Sequence, residues 1–259
     1  MEKIGDYYTG AMSSLSWSRP NPIFAHLQKL SFSRDAGAMF PLLSKGAPIL
    51  DYGAGSGMFS GYLKERGYDV HAADMYEAAN WPWDTIPFRQ ANLNGGKVQS
   101  EDVLCNGRIP EAVVLRHVFE HLYNPLEVIQ EFRDNRVPYV LIVVPNVESS
   151  MLSWFGDNWY YWDPPRHLSF FSSASLRLIL QKGGYDVISV KTYGIDEIIT
   201  SQYRRILTKA TVANPGRDLS ELLNRSSARF FQPKGLLAAV SSSASMFSSA
   251  VLWALARLR

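Results

Sequence analysis

The chain has 259 residues, a formal net charge of +2 at pH 7 and 46% apolar residues, a balance that excludes wholesale disorder and shows no bulk charge that would draw a polyanion such as nucleic acid. Cys105 is the single cysteine, which excludes an intrachain disulfide and a cysteine-based zinc cluster and fits a reducing, cytoplasmic compartment. The stretch Met1–Tyr8 lacks the charged-then-apolar layout of a signal peptide.

Residues 1–45 read as an N-terminal helical cap, with a Pro-broken segment at Arg19–Pro22 followed by Phe24, Leu27 and Leu30 on one helical face. At Pro48–Met58 a short apolar run (Ile49, Leu50) reaches Asp51, three glycines follow at alternate positions (Gly53, Gly55, Gly57), and helical spacing begins (Met58, Phe59, Tyr62, Leu63) with Gly67 placed to stop it. This predicts a strand, a glycine turn and a helix N-terminus, where free N–H groups and the helix dipole favour a polar or anionic ligand group. Met58 stands where the dinucleotide fingerprint needs its third glycine, so that fingerprint fails.

A second strand is predicted at Asp69–Ala73, ending on Asp74, then a loop with Trp81-Pro-Trp83 and a third strand at Phe88–Ala91 running into Asn92. Ala112–Arg116 reads as the fourth strand, and Asn124-Pro125 opens a helix with Leu126, Ile129 and Phe132 on one side. Tyr139–Val144 is apolar on both faces and suits the buried centre of a parallel sheet. A helix capped by Ser172 or Ser173 turns Leu176, Ile179 and Leu180 inward, and Val187–Tyr193 alternates as a sixth strand. Strands alternating with helices predict an α/β fold with a Rossmann-like open, mostly parallel sheet flanked by helices. Beyond residue 195, a helical face (Ile195 to Leu207) and a helix over 218–231 are expected. The tail from Leu236 to Ala256 has six serines and no charged residue. Packing on the protein, with Val251–Leu255 as a last strand, is favoured over peripheral membrane contact. The whole reads as a single domain: cap 1–45, ligand-binding core 46–194, and helical addition 195–259.

Asp74 follows Asp51 at a spacing that suits a carboxylate accepting from both ribose hydroxyls, with an ordinary strand-end acid as the alternative. His117-Val-Phe-Glu-His121 spells the His-x-x-Glu-His pattern of a zinc peptidase. Pro125 interrupts its helix and no third ligand is recognisable, so no metal is expected. His167 is suited to take a proton from a ligand hydroxyl or, equally, to bond a loop carbonyl. Arg166 suits an anionic group on a ligand, or Asp163. The aromatic run Trp154–Trp162 lines an acceptor pocket or packs as a surface loop.

Taken together, Asp51-x-Gly-x-Gly-x-Gly, the acidic end of the second strand and Val144-Pro-Asn146 resemble class I S-adenosylmethionine-dependent methyltransferases. His117-Val-Phe-Glu-His-Leu-x-x-Pro125 and Trp162-Asp-Pro-Pro-Arg-His-Leu-Ser-Phe-Phe171 are similar to a bacterial group among the quinone-type and cell-surface-polysaccharide enzymes. The resemblance spans residues 45–194. It implies S-adenosylmethionine as methyl donor and S-adenosylhomocysteine as product, held by Asp51, Gly53, Ala54, Gly55, Gly57, Asp74, Met75, Asn92, Leu93 and Arg116. Asn92 departs from the Asp usual in the family, but an amide still pairs with the adenine amino edge. His167 or His117 would be the base, and Arg166, Trp159, Tyr160 and Trp162 would face the acceptor. The acceptor expected is a small molecule, saccharide or lipid-linked saccharide, with a quinone-like phenol as alternative. A non-catalytic regulator of the same fold is the rival from another class.

Overall fold

The computed structural model describes residues 22–75, 81–91, 100–149, 152, 156–159, 161–193 and 251–259. Seven strands form one sheet in the order β3-β2-β1-β4-β5-β7-β6. They are β1 (Pro48–Tyr52), β2 (Asp69–Asp74), β3 (Phe88–Gln90), β4 (Ala112–Arg116), β5 (Tyr139–Pro145), β6 (Tyr185–Tyr193) and β7 (Val251–Leu258). The pairs β1–β2, β1–β4, β2–β3 and β4–β5 are parallel, whereas β7 lies antiparallel between β5 and β6. Strands are added outward from β1 in one direction and from β4 in the other, so the sheet order reverses between them, where open α/β sheets leave a ligand crevice.

The helices are α1 (Pro22–Gly37), α2 (Met58–Lys64), α3 (Ser100–Val103), α4 (Pro125–Asp134) and α5 (Ser173–Lys182). Period-2 alternation along each strand divides the core. On one face, Ile49, Val114, Leu141, Val143, Trp253 and Leu255 meet Phe32 of α1 and Phe59 and Tyr62 of α2. On the other, Leu50, Val113, Ile142 and Ala254 meet Ile129 and Phe132 of α4 and Leu176 and Leu180 of α5. Both faces of β5 are covered, as its unbroken apolar run requires.

Most expected elements appear within a residue or two, and the start of α5 is closed by a capping box between Ser172 and Ser175. Three details differ. In α1 the buried face carries Ser31, Phe32, Asp35 and Ala36, while Leu30 is 49% exposed, because the sheet recruits the face that holds Asp35. In α4, Val128 replaces Leu126 among the buried residues. Strand β6 begins at Tyr185, whose hydroxyl donates to Val137 O at 3.0 Å and anchors the strand start. The last strand forms, reaching Leu258. The helices expected over 195–231 and the tail up to residue 250 lie outside the described residues. No helix among the described residues is long and apolar enough to cross a membrane.

Candidate active site

The turn after β1 is built by its own backbone. Gly53 N and Ala54 N both donate to Ala73 O, at 2.7 and 3.1 Å, so the turn is stitched to the end of β2. Gly53 has φ +85°, and a Cβ there would collide with Val118, so only glycine allows the segment after β4 to close on the turn. Gly57 has φ +72° at the start of α2, and a Cβ would collide with Trp81 and Trp83. Trp83 Nε1 donates to Ser56 O at 3.1 Å, which clamps the outside of the turn. Gly55 is exposed, and a Cβ there would meet nothing within 4 Å among the described residues.

Two carboxylates accompany the turn. Asp74 Oδ2 accepts from Gly55 N at 2.7 Å, bringing the acid at the end of β2 against the glycine turn. Asp51 is buried and accepts from the Ser60 hydroxyl of α2. Burial pushes its pKa up to about 6, against the pull of the Ser60 hydrogen bond and of the Arg116 charge. Met75 packs partly buried against the core beside Asp74, and Ala54 packs on the opposite side of the sheet. Asn92, Leu93 and Tyr160 lie outside the described residues. Arg116 points to the α1 face, as alternation with Ala112 and Val114 requires. Its Nε donates to Asp35 Oδ2 at 2.7 Å and its Nη2 to Ser31 at 3.3 Å.

A second cluster assembles where the segment after β4 meets the loop after β5. His117 has φ +55° and directly follows β4. Its ring stacks on Tyr161 with centroids 5.5 Å apart. The turn Phe119–His121 then buries Glu120 to 1% exposure, with neither carboxylate oxygen in a hydrogen bond. His117 Nδ1 stands 3.5 Å from Glu120 Oε1, beyond a good hydrogen bond but close enough for charge to matter. Burial alone would raise the Glu120 pKa, yet His117, His121 and His167 outweigh it and hold the carboxyl below its usual range. The backbone joins the two segments: Glu120 O accepts from Leu168 N at 2.9 Å and Ser169 N at 3.1 Å. His121 Nδ1 donates to Arg166 O and His167 Nδ1 to Tyr161 O, both at 2.8 Å. Burial depresses the His167 pKa, with Glu120 pulling the other way.

The His-x-x-Glu-His pattern therefore acquires His167 from 46 residues beyond His121 (167 − 121), its ring 4.7 Å from that of His121. On the expected acceptor side, Trp162 is 40% exposed and lies against Phe170. Trp159 is fully buried among Leu152, Tyr161 and Phe170, where it supports the loop from beneath. Arg166 pairs with Asp163, one of the two arrangements expected for it. The residues not singled out from sequence are Tyr161, Ser60 and Asp35, whereas Glu120 is read there only as the acid of the His-x-x-Glu-His pattern and Trp83 only as part of a loop. Nothing local in the sequence marks the first three.

The antiparallel β7 between β5 and β6, with a glycine turn and an acidic β2 end at the sheet's carboxyl edge, defines the Rossmann-like fold of class I methyltransferases. A family model described as a methyltransferase domain matches residues 24–190, and the chain belongs to that family. A solved S-adenosylmethionine-dependent methyltransferase from Archaeoglobus fulgidus is 17% identical, covering 88% of this chain and 93% of its own, with TM-score 0.55. The 1,6-didemethyltoxoflavin-N1-methyltransferase of Burkholderia thailandensis, solved with bound 1,6-didemethyltoxoflavin and S-adenosylhomocysteine, is 14% identical, covering 100% of this chain and 91% of its own, with TM-score 0.52. The [4+2]-cyclase SpnF is 13% identical, covering 90% and 80%, also with TM-score 0.52. A cyclase on this fold means that the architecture alone does not decide the reaction. No curated protein sequence matches the chain.

Proposed function

We propose that this protein transfers a methyl group from S-adenosylmethionine to an oxygen of a small-molecule, saccharide or lipid-linked acceptor, releasing S-adenosylhomocysteine. The observation that carries the reading is the Asp74–Gly55 hydrogen bond, which joins a ribose-binding type of acid to a glycine turn that is exposed at Gly55. The residues fit the donor. Backbone N–H groups of the turn would meet its amino-acid portion, Asp51 would balance its positive charge, and Asp74 would accept from its ribose hydroxyls. The donor brings a methyl on a sulfonium, already activated for in-line displacement. The protein's task is then to align an acceptor oxygen, exclude water and remove one proton.

His117 and His167 are the groups suited to that proton. His117 adjoins Val118, the side chain pressed against Gly53, which brings it near the donor. Tyr161 stacks on it, and exposed Trp162 offers an aromatic face to the apolar C–H side of a sugar or to a quinone-like phenol, the alternative acceptor. In a radiolabelled methyl-transfer assay over a panel of saccharide and phenolic acceptors, wild-type protein should label at least one class. Replacing the base, in His117→Ala or His167→Ala, should lower kcat by about 10²–10⁴-fold with donor affinity nearly unchanged. Full turnover in both variants would remove the histidines from the chemistry.

A further inference from the structure

Glu120 is the strongest unresolved feature of the molecule. A carboxylate 1% exposed, with both oxygens outside any hydrogen bond, is costly unless a cation lies against it. The groups around it are donors of the kind that bind metals. One ligand atom each from Glu120, His121 and His167 lies within 4.8 Å of the others. A triangle of that edge has its centre roughly 2.8 Å from each corner, so each donor needs to close by less than about 1 Å to reach metal–ligand distance.

The imidazoles are already oriented for such a role. A carbonyl oxygen only accepts, so the contacts of His121 Nδ1 with Arg166 O and of His167 Nδ1 with Tyr161 O put the ring hydrogen on Nδ1. In the neutral ring this leaves Nε2 as the basic nitrogen. Histidine ligands to metals are characteristically held this way, with the second ring N–H on a carbonyl or carboxylate. The backbone bonds from Leu168 and Ser169 to Glu120 O hold the two segments together independently of any ion.

We propose that Glu120, His121 and His167 form a site for one divalent transition-metal cation of the zinc type; with Nε2 of His167 on the cation, His117 is the histidine left to act as base. Two imidazoles and one carboxylate favour such a cation over magnesium or calcium. Three protein ligands leave a coordination position for water or for an oxygen of the acceptor. His117 and Tyr161 stand beside the site, so a bound cation would lie on the acceptor side of the cluster. The inference does not depend on methyl transfer: the site would bind a cation in a protein that transfers nothing.

The test uses the full chain, stripped by chelation and dialysed, then titrated with Zn²⁺ by calorimetry and with Co²⁺ by visible absorption. One equivalent of Zn²⁺ should bind, and Co²⁺ should give the ligand-field bands of a low-coordinate site with nitrogen and oxygen donors. His121→Ala, His167→Ala and Glu120→Gln should each weaken binding more than about tenfold, with far-UV circular dichroism and S-adenosylmethionine binding reporting that the variant is folded. Failure to bind either ion at millimolar concentration would overturn the proposal and make the cluster a histidine–carboxylate ion network. So would wild-type affinity in a folded His121→Ala, His167→Ala double variant.

Discussion

At the scale of single residues, the burial of Asp51 carries a structural cost. Its pKa in the folded chain is about 6, against 3.8 for the unperturbed group. Between those values the unfolded chain releases this proton while the folded chain keeps it, so stability falls as pH rises from about 4 to 6 and then levels off. The cost of ionised Asp51 at neutral pH is on the order of 3 kcal/mol. Asp51→Asn keeps an acceptor for Ser60 and removes the buried charge. The variant should therefore be more stable than wild type at pH 7.5, by up to that amount, and nearly equal to it at pH 4, as urea midpoints at the two pH values would report. It should also bind S-adenosylmethionine more weakly, because the donor's positive charge is what an ionised Asp51 would meet. Equal stability at pH 7.5 would mean that Asp51 is not strained by its burial.

At the scale of elements, an ion pair joins the apolar packing of Phe32 and Ala36 where α1 meets the sheet. Asp35 is fully buried on α1 and receives Arg116 from the end of β4 at 2.7 Å, while its backbone carbonyl accepts from Trp253 Nε1 of β7 at 2.7 Å. Three elements distant in sequence meet at one residue. Arg116→Ala removes the guanidinium that donates to this buried carboxylate and should destabilise the protein by about 1.5–3 kcal/mol, the value of a hydrogen bond to a charged group. Thermal or urea unfolding measures this, and a change below about 1 kcal/mol would mean that water already screens the pair. The same residue illustrates what the sequence leaves hidden. Arg116 reads as a cofactor ligand because it ends a strand at the ligand edge. Its partner lies 81 residues earlier (116 − 35) on a helix whose buried face is set by the sheet, and no local pattern announces that.

At the scale of the whole molecule, the sheet brings two candidate groupings to one edge: the glycine turn with Asp51 and Asp74, and the histidine cluster around Glu120. The first was legible in the sequence, because a strand, alternate glycines and an acid at the end of the next strand are consecutive and each has a local cause. The strands of the parallel half were legible for the same reason, through apolar runs bounded by glycine, proline and asparagine. The second grouping was legible only in halves. His117–His121 and Pro164–His167 each carry a pattern, but their meeting depends on backbone bonds between two loops. Likewise Trp159 and Trp162 are indistinguishable as letters, and tertiary packing buries one and exposes the other. The insertion of β7 between β5 and β6 also follows from sheet assembly, since its own residues specify only a buried strand.

The central claim, that the edge between β1 and β2 holds S-adenosylmethionine, is tested most directly by isothermal titration of the full chain with that compound. Wild-type protein is predicted to bind one equivalent, and Asp74→Ala to lose at least about 1.5 kcal/mol of affinity, the value of a hydrogen bond to a charged group. No heat of binding at millimolar ligand, or equal affinity in a folded Asp74→Ala variant, would contradict it.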